Sequence, residues 1–468
     1  PEDFRDNTTY ILTIGTEFRD VGGNRLSDPI SVAFSTGETI DQGEIAGRVV
    51  EPDRGDPVPD VDIYAYRETS ASSELPSRPD FRTQTGTDGT FRFQHLSDDR
   101  FFVVALRDAN RNRQPDPGEA VAVPPVEWIT ADSSGSPQPE PWVIAEIDTL
   151  APQVTRARPL SDRRFELLFN EPVILSNRAP EAWVIEDSLS GQSYTPEAIY
   201  TRPAEERSIF VLADGPLPPH THRIVTGAVA DSSGNRADQL EAYVVPGALI
   251  DTLTTRFVNF IPDTSAAAED VTELLGHQRP GVRFNAPPSD AQIAEWITVA
   301  DTARTLAGIE TADGTSYALT FDPELGLGER VTLIVETDRI SRRQTFRRLD
   351  AGDLGEISGS VTGIDSLFAQ PIVQLFEDNA TSPLFTVRAD SLGAFIFNGV
   401  PEGSYRLRAF QPARESNSWF PGRIAPYQRR APIGWWNEAV NVRPRWETVL
   451  PDAVDLGQSS PRDSSSES

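Results

Sequence analysis

Short segments in which apolar and polar residues alternate recur along the whole chain. One stretch, DGTFRFQHLSDDRFFVVAL from Asp88 to Leu106, holds two strand-like segments on either side of a polar turn. Proline and glycine separate such segments, and no long stretch repeats its apolar residues with the 3.6-residue period of a helix. At 468 residues the chain is also too long for one hydrophobic core. The pattern predicts an all-β protein of several tandem sandwich domains.

Two kinds of module repeat within the chain. The first begins with GEIAGRV at Gly43 and recurs with GEISGSV at Gly355, and PDVDIYAY then aligns with PIVQLFED. The matched core positions are Phe91 with Phe395, Phe93 with Phe397, Phe101 with Tyr405 and Ala105 with Ala409. A shared set of core positions with loops of different length predicts the same β-sandwich twice.

The second module ends in a strand, the motif Asp-x-x-Gly-Asn and another strand. The motif occurs at Asp20 to Asn24 and at Asp231 to Asn235. Glycine and asparagine accept left-handed backbone conformations, and an aspartate side chain can cap main-chain N–H groups, so a hairpin turn is predicted rather than a catalytic aspartate. The upstream half of this module appears as FELLFNEPV and as GVRFNAPP, each followed by a tryptophan, Trp183 or Trp296.

The spacing of the repeats indicates domains of about a hundred residues, the usual size of an immunoglobulin-like sandwich. We expect sequential domains joined by short linkers. The predicted ranges are 1–40 for the C-terminal part of an Ig-like domain, 41–148 for the first repeated sandwich, 149–250 for an Ig-like domain, 251–353 for a divergent Ig-like domain, 354–455 for the second repeated sandwich and 456–468 for a disordered tail. In the divergent domain, ETDRISRRQTF stands where Asp-x-x-Gly-Asn would be.

Composition narrows the classes of partner. The chain has 71 acidic residues against 42 basic ones, a formal net charge of -29, and every basic residue is arginine. Such a surface repels nucleic acid and anionic lipid and favours calcium or basic partners. Acid excess without lysine is typical of salt-adapted organisms, although a GC-rich genome also favours arginine. Because the chain starts at Pro1 and contains no methionine, we expect a fragment of a longer precursor.

The absence of cysteine excludes disulfides, thiolate nucleophiles and cysteine-ligated metals. No apolar run approaches the roughly 18 residues of a membrane span. Catalytic signatures such as G-x-S-x-G and H-E-x-x-H are absent from the sequence. His220 and His222 form an H-x-H that would place both rings on one face of a strand. No third ligand is evident from the sequence, so the start of a strand is the favoured interpretation.

The stretch RDANRNRQPDPGE, from Arg107 to Glu119, has the ligand spacing of a twelve-residue calcium loop. Side-chain oxygens fall at positions one, three, five, nine and twelve, with a main-chain carbonyl at position seven. The candidate ligands are Asp108, Asn110, Asn112, Gln114, Asp116 and Glu119. Position six is Arg113 instead of the expected glycine, and Pro115 and Pro117 stiffen the exit. The alternative is a solvated acidic turn whose charge the local arginines neutralise.

The second repeated sandwich provides an internal comparison for this loop. Its equivalent stretch, PARESNSWFPGR, has Pro412, Phe420 and Arg423 where the first has Asp108, Asp116 and Glu119. We therefore expect calcium, if bound, in the first sandwich alone.

Aromatic and arginine residues are concentrated near the end of the second repeated sandwich. Exposed aromatic faces beside polar groups can stack on sugar rings, and arginine with tryptophan is common at protein interfaces. We predict a binding surface for an acidic glycan or an acidic protein, including a neighbouring copy of the chain; the alternative is a loop-rich core. The candidate residues are Trp419, Tyr427, Trp435 and Trp436.

These modules resemble known families. TYILTIGTEFRDVGGNRL followed by VAFSTG resembles the Ig-like domains of bacterial surface-layer and secreted proteins. GEIAGRV with TDGTFRFQHL and FFVVALRD resembles the carboxypeptidase-regulatory, or prealbumin-like, β-sandwich of cell-surface adhesin stalks. Their order resembles an Ig-like surface protein of the Bacteroidota type, often a lipoprotein.

The resemblance implies an exported, non-enzymatic stalk or interaction protein at the cell surface or outer membrane, with a lipid anchor expected upstream. Modules of this kind are specific for fold and weak for function. An accessory segment of a larger secreted enzyme and a glycan-binding surface protein remain the alternatives.

Overall fold

The computed structural model describes residues 4–67, 75–76, 78–116, 118–131, 140–146, 148, 150–175, 177–263, 271–301, 303–414 and 417–457. Within these residues β-strands form nearly all of the regular structure, beside one α-helix, α1 (Asp290–Trp296), and one 3-10 turn (Pro180–Ala182). The all-β sandwich class predicted from the sequence is confirmed. The predicted tail lies outside the described residues from position 458 onwards.

The chain forms two compact units that are not both continuous in sequence. One unit comprises residues 1–148 together with 355–468, and the other comprises residues 149–354. The first unit therefore brings the two repeated sandwiches together, although about two hundred residues of the second unit separate them along the chain. Sequential domains, the arrangement expected from the sequence, do not describe the first unit.

The first unit starts with an antiparallel pair of strands, β1 (Thr9–Ile14) and β2 (Ile30–Ser35). On one face of the pair, Ile11 packs against the core of the first sandwich. The opposite face carries apolar cross-strand pairs such as Leu12 with Val32, whose side chains are 61% and 54% exposed. The interpretation of residues 1–40 as the end of an Ig-like domain stays a prediction.

The first sandwich packs two sheets around an aromatic core. Phe91, Phe93 and Trp142 are buried there, with the rings of Phe91 and Trp142 in edge-to-face contact. Its strands are β3 (Gly43–Val50), β4 (Asp62–Arg67), β5 (Phe81–Gln84), β6 (Thr90–Leu96), β7 (Arg100–Leu106), β8 (Ala120–Ala122), β9 (Ile129–Thr130), β10 (Trp142–Val143) and β11 (Ala145–Glu146). The sheet orders are β10-β3-β6 and β11-β8-β7-β4-β5, with β9 beside β7.

The second unit begins with a sandwich whose core includes Phe165, Phe169 and Trp183. Its strands are β12 (Val154–Pro159), β13 (Arg164–Phe169), β14 (Ile174–Leu175), β15 (Val184–Asp187), β16 (Ser193–Tyr194), β17 (Pro196–Tyr200), β18 (Ser208–Ala213), β19 (His222–Val225), β20 (Val229–Ala230), β21 (Arg236–Ala237) and β22 (Glu241–Val244). The sheet orders are β12-β13-β18-β17, β16-β15-β19-β22 and β14-β20-β21.

The second unit continues with another sandwich, in which α1 precedes one of the strands. Its strands are β23 (Phe257–Ile261), β24 (Val271–Leu274), β25 (Gly281–Phe284), β26 (Ile297–Val299), β27 (Thr305–Glu310), β28 (Ser316–Asp322), β29 (Arg330–Glu336) and β30 (Ser341–Arg348). The sheet orders are β23-β25-β28-β27 and β24-β30-β29-β26. Where the Asp-x-x-Gly-Asn motif is missing from the sequence, β29 and β30 join in a short hairpin closed by the Thr337 N–H donating to the Ile340 carbonyl.

The second repeated sandwich completes the first unit. Its strands are β31 (Leu354–Thr362), β32 (Ile372–Glu377), β33 (Phe385–Arg388), β34 (Ala394–Pro401), β35 (Gly403–Phe410), β36 (Ile433–Val442), β37 (Glu447–Val449) and β38 (Val454–Asp455). The sheet orders are β34-β31-β37, with β38 beside β31, and β33-β32-β35-β36. A parallel pairing recurs in both repeats, since β10 lies parallel to β3 and β37 lies parallel to β31.

The two repeated sandwiches share a close backbone contact as well as their sequence pattern. Gly89 and Gly393 come directly before equivalent strands, and their φ angles are 75° and 87°. A Cβ atom at Gly89 would lie 2.5 Å from the Val49 carbonyl oxygen, and one at Gly393 would lie 2.2 Å from the Val361 oxygen. Both the left-handed conformation and the close approach therefore require glycine. This requirement explains why both copies of the sandwich have a glycine shortly before their paired phenylalanines.

The two Asp-x-x-Gly-Asn motifs form the same turn, as predicted. Asp20 accepts from the Asn24 main-chain N–H at 2.9 Å and from its side-chain amide at 2.9 Å. Asp231 accepts from the same two groups of Asn235, both at 2.8 Å. Each aspartate thus closes a turn between strands.

Candidate functional sites

The predicted calcium loop follows β7 and returns to β8, held by hydrogen bonds between side chains and main chain. Asp108 accepts from the N–H groups of Asn112 and Arg113, at 3.1 and 2.8 Å, and from the Tyr64 hydroxyl at 2.9 Å. Glu119 accepts from the Ala109 N–H at 2.9 Å with one oxygen and from the Asp116 N–H at 3.1 Å with the other. The first and twelfth positions therefore tie the two ends of the loop together.

Three of the predicted ligands face a common point. The side-chain amides of Asn110 and Asn112 both donate to one carboxylate oxygen of Asp116, each at 2.6 Å. The amide oxygens of the same two asparagines accept main-chain N–H groups, of Asn112 and Gln114 respectively. Gln114, the residue at position seven, donates from its side chain to the Pro76 carbonyl at 3.1 Å.

The absence of glycine at position six does not argue against a calcium loop, because of the backbone conformation of Arg113. Glycine is expected at position six of a calcium loop because the chain turns sharply there. Arg113 has φ of 64°, so its backbone takes the left-handed conformation that glycine would adopt. The loop thus has the turn without the residue that usually provides it.

The carboxylates of the loop are not drawn tightly together in the structure. Among the described residues, the groups of three or more acidic or histidine side chains with ligand atoms within 4.8 Å of one another do not include those of Asp108, Asp116 and Glu119. Calcium binding at this loop therefore stays a prediction, and it requires the oxygens to move inward around the cation.

The predicted aromatic surface lies against the first sandwich of the same chain. Trp435 in β36 is buried, with 7% of its surface exposed, and its indole N–H donates to the Pro52 carbonyl at 3.0 Å. Around it, Val50 and Val143 of the first sandwich join Ile372, Phe410 and Ile433 of the second in one apolar cluster, against which Trp419 packs. Trp435, which was predicted from the sequence to bind a partner, thus lies in the contact between the two repeated sandwiches.

The other predicted aromatics have distinct places. Tyr427 packs with Ile424 on a cluster on the outer face of the first sandwich and donates from its hydroxyl to the Pro124 carbonyl at 3.0 Å. Trp436, next to Trp435 but on the opposite face of β36, packs against the core of the second sandwich. Trp419 donates to the Ala431 carbonyl within its own loop.

Arginine side chains complete the contact between the repeats. Arg408 pairs with Asp53 at 2.9 Å, and Arg429 and Arg430 both approach Glu140, at 3.6 and 3.4 Å. Arg430 is only 2% exposed and also donates to the Pro141 carbonyl at 3.0 Å. Burial lowers the pKa of Arg430 to about 10, so it keeps its charge at neutral pH. We call this set of apolar, hydrogen-bonded and ionic contacts the docking face.

The two histidines of the H-x-H motif acquire a third neighbour that sequence reasoning missed. Asp187, at the end of β15, pairs directly with His222 in the ladder between β15 and β19. Ligand atoms of Asp187, His220 and His222 all lie within 4.8 Å of one another. The hydroxyl of Ser190, together with main-chain N–H groups of Leu189 and Ser190, lowers the pKa of Asp187 to about 2 against the opposing effect of burial. No spacing in the sequence indicates this contact, since it arises from strand pairing.

Comparison with known proteins gives no family. No protein-family profile matches the chain, and no curated protein matches it. Among solved structures, the S-layer protein SbsC aligns at 9% identity over 64% of this chain and 54% of its own, with a TM-score of 0.20. The alignments to three SbsC structures span 45%, 54% and 59% of those chains, about half of their length.

Two further similar structures are a pilin subunit and a fragment of four Ig domains. BcpA, the major pilin subunit of Bacillus cereus, aligns at 8% identity over 89% of this chain and 99% of its own, with a TM-score of 0.17. The N-terminal four Ig domains of Dscam1 align at 11% identity over 75% and 87%, with a TM-score of 0.20. At such scores these likenesses support no inference, and the fold is assigned from the chain's own sheets.

Proposed function

We propose that the protein is a non-enzymatic structural protein of the cell surface, in which paired sandwiches form a fixed support. The docking face carries this proposal. Its aromatic and arginine residues, which could have formed an open binding site, are used to hold one repeat on the other. A support that must keep its geometry gains from such a contact, whereas an open recognition surface would leave these side chains exposed.

One of the larger grooves of the second unit contains a buried ion pair that is already committed to the fold. In the groove that runs from Leu160 to Arg256, Arg164 donates to Asp251 at 3.0 Å and to the Tyr200 hydroxyl at 2.6 Å. Both members of this ion pair are nearly fully buried. Charges paired in this way stabilise the start of the following sandwich and are poorly placed to act on a substrate, which favours the structural proposal over an enzyme.

Calcium binding at the loop from Asp108 to Glu119 belongs to the same proposal. The loop joins β7 to β8, two strands of the sheet whose outer face meets the second sandwich. A cation bound there would hold the loop ends together and so stiffen one side of the support. The ligand order and the left-handed Arg113 support this role.

The proposal predicts where the protein is located, and a measurement of that location tests the proposal. Among the described residues no helix is both long enough and apolar enough to cross a membrane. We expect the protein to be exported and held on the outside of the cell that produces it. Antibodies against the full chain should label intact cells, and protease added to intact cells should degrade it. Protection from protease until the cells are lysed would contradict the proposal.

A soluble, catalytically active product of the same gene, released into the medium, would instead favour the alternative of an accessory segment in a secreted enzyme. Sequencing the gene upstream of the codon for Pro1 distinguishes the two: further Ig-like domains support the structural proposal, and a catalytic domain overturns it.

A further inference from the structure

A buried imidazole nitrogen without a partner lies beside a carboxylate in the first sandwich of the second unit. His222 is 0% exposed, and its Nε2 atom has no hydrogen-bond partner. A buried polar atom that is left unsatisfied destabilises the folded state. Such an atom therefore calls for an explanation, and a bound ion is one of the few that the chemistry allows.

The tautomer of His222 is the one that a metal ligand needs. Its Nδ1 atom lies 2.8 Å from the His220 carbonyl oxygen, to which it donates as N–H. The neutral ring then carries a free electron pair on Nε2. A histidine that gives one ring N–H to a main-chain carbonyl and presents the other nitrogen bare is the usual arrangement of a metal-bound histidine.

His220 and Asp187 supply two further ligand atoms on the same side. The Nδ1 atom of His220 is buried and lies 3.2 Å from a carboxylate oxygen of Asp187, with which it forms an ion pair when the ring is protonated. The two imidazole rings are nearly parallel, with their planes 6° apart and their centroids at 5.2 Å. Two imidazole nitrogens and one carboxylate oxygen, all within 4.8 Å of one another, thus surround a single point.

The fold holds these three groups in place before any ion arrives. Asp187 and His222 are direct neighbours across the β15–β19 pair. Asp187 is fixed further by N–H groups of Leu189 and Ser190 and by the Ser190 hydroxyl at 2.7 Å. Hydrogen bonds of this kind to a ligating carboxylate orient it for the metal.

From these observations we infer a divalent transition-metal site at Asp187, His220 and His222, with zinc as the ion. Zinc takes histidine nitrogen and carboxylate oxygen in tetrahedral sites, whereas calcium prefers oxygen ligands alone. Two histidines and one carboxylate leave a fourth position, and because His220 is partly exposed, a water molecule would fill that position. The ion would clamp the end of β15 to the start of β19. This inference is independent of the proposed function.

The test is zinc titration of the full chain in a buffer that contains a competing chelator. The chelator keeps free zinc low enough that scattered surface carboxylates do not compete. We expect one zinc per chain, and cobalt added in its place should give the visible absorption of a four-coordinate site. Changes to residues around metal ligands typically weaken binding about 10- to 100-fold, so His220→Gln and Asp187→Asn should weaken it at least tenfold.

The matched control is His277→Gln, which removes an exposed histidine from another sandwich and should leave the affinity unchanged. Because His222 is buried, His222→Gln is paired with a thermal unfolding measurement without metal. The other variants keep the inference testable even if that one fails to fold. Zinc should raise the unfolding temperature of the wild type and not of folded His220→Gln. Equal zinc binding by wild type and His220→Gln, or no binding above the chelator, overturns the inference.

Discussion

At the scale of single residues, Arg113 gives the predicted calcium loop the sharp turn that glycine usually provides. A non-glycine residue with φ of 64° is uncommon and carries a modest strain. Its N–H donates to Asp108 at 2.8 Å, which offsets part of that strain. The side-chain amides of Asn110 and Asn112, at positions three and five, both donate to Asp116, so the loop brings three predicted ligands together although its carboxylates stand apart.

Calcium should bind at this loop and slow the exchange of its main-chain amides. The carboxylates of Asp108, Asp116 and Glu119 repel one another, and a cation that draws them together stabilises the folded state by mass action. At a calcium concentration of about a hundred times Kd the stabilisation would be about 2.7 kcal/mol. Hydrogen exchange with mass spectrometry on the full chain, with calcium or with chelator, measures the effect on residues 107–119.

Glu119→Gln should abolish most of this protection, since position twelve provides the bidentate ligand of such loops. Glu127→Gln is the matched control, because Glu127 is an exposed acid of the same sandwich. Equal exchange with calcium and with chelator in the wild type would show that the loop is a solvated acidic turn.

The starts of the first strands are what the two sandwiches of the second unit share most closely. Although the later sandwich lacks the aspartate turn, both sandwiches use an asparagine to hold their first strand. Asn170 accepts from the Gln153 N–H at 2.7 Å, and Asn285 accepts from the Arg256 N–H at 2.6 Å. Both asparagines come from the repeated Phe-Asn-x-Pro sequence. The repeated residues in these modules are thus explained by hydrogen bonds that end or begin a strand.

Lowering the pH should loosen the turn at Asp20. The side chain of Asn24 and main-chain N–H groups, which all donate to the carboxylate, hold the pKa of Asp20 below its ordinary value of 3.8. A carboxyl group with a lower pKa in the folded state stabilises that state above pH 3.8, and the contribution is lost as the pH falls through the folded value. NMR titration of the Asp20 carboxyl carbon should give a midpoint below 3.8.

In Asn24→Ala the side-chain donor is lost, so the midpoint should rise toward the ordinary value. Asp6, an exposed aspartate of the same segment, is followed in the same spectra as a control for changes that do not come from this turn. A midpoint for Asp20 that does not change in Asn24→Ala would contradict the assignment of the shift to this turn.

At the scale of the whole chain, the two repeated sandwiches contribute different kinds of surface to the docking face. In the first sandwich the outer face of the β4–β7 sheet is apolar, with Tyr64, Tyr66 and Phe102 buried beneath Ile424 and Tyr427 of the second. In the second sandwich the corresponding face carries Arg406 and Arg408, which lie over the Phe376 ring. The same fold has thus been given one apolar outer surface and one on which arginines lie beside apolar residues, and the two sandwiches hold together through an asymmetric contact.

Trp435→Ala should uncouple the two repeats. Replacing a buried tryptophan by alanine costs about 3–5 kcal/mol, and this change also removes the hydrogen bond to Pro52. We expect faster hydrogen exchange in residues 49–56 of the first sandwich, far away in sequence from the substitution. Trp446→Ala in the same sandwich is the control, since Trp446 is 71% exposed and surface changes usually stay within about 0.5 kcal/mol. Unchanged exchange in residues 49–56 of Trp435→Ala would show that the docking face does not hold the repeats together.

The fold class, the two kinds of module and the aspartate turns could be predicted from the sequence because they depend on local information. Alternation of apolar residues, glycine before a strand and an aspartate four residues from an asparagine all act over a few residues. The ligand order of the calcium loop is local in the same way. Its left-handed Arg113 is not, since nothing in the residue type indicates that conformation.

Contacts between distant strands were decided by the tertiary structure alone. Asp187 reaches His222 because β15 and β19 pair, and Trp435 reaches Pro52 across nearly four hundred residues. One signal was present in the sequence: the uninterrupted apolar run in RFFVVAL, where six of seven residues are buried, is typical of a strand covered on both faces. That run indicates that another part of the molecule covers the outer face of the strand. The sequence does not identify this covering part, because the free energy of burial depends on how much apolar area is buried and not on which segment buries it. Only shape and charge in three dimensions select the second repeated sandwich.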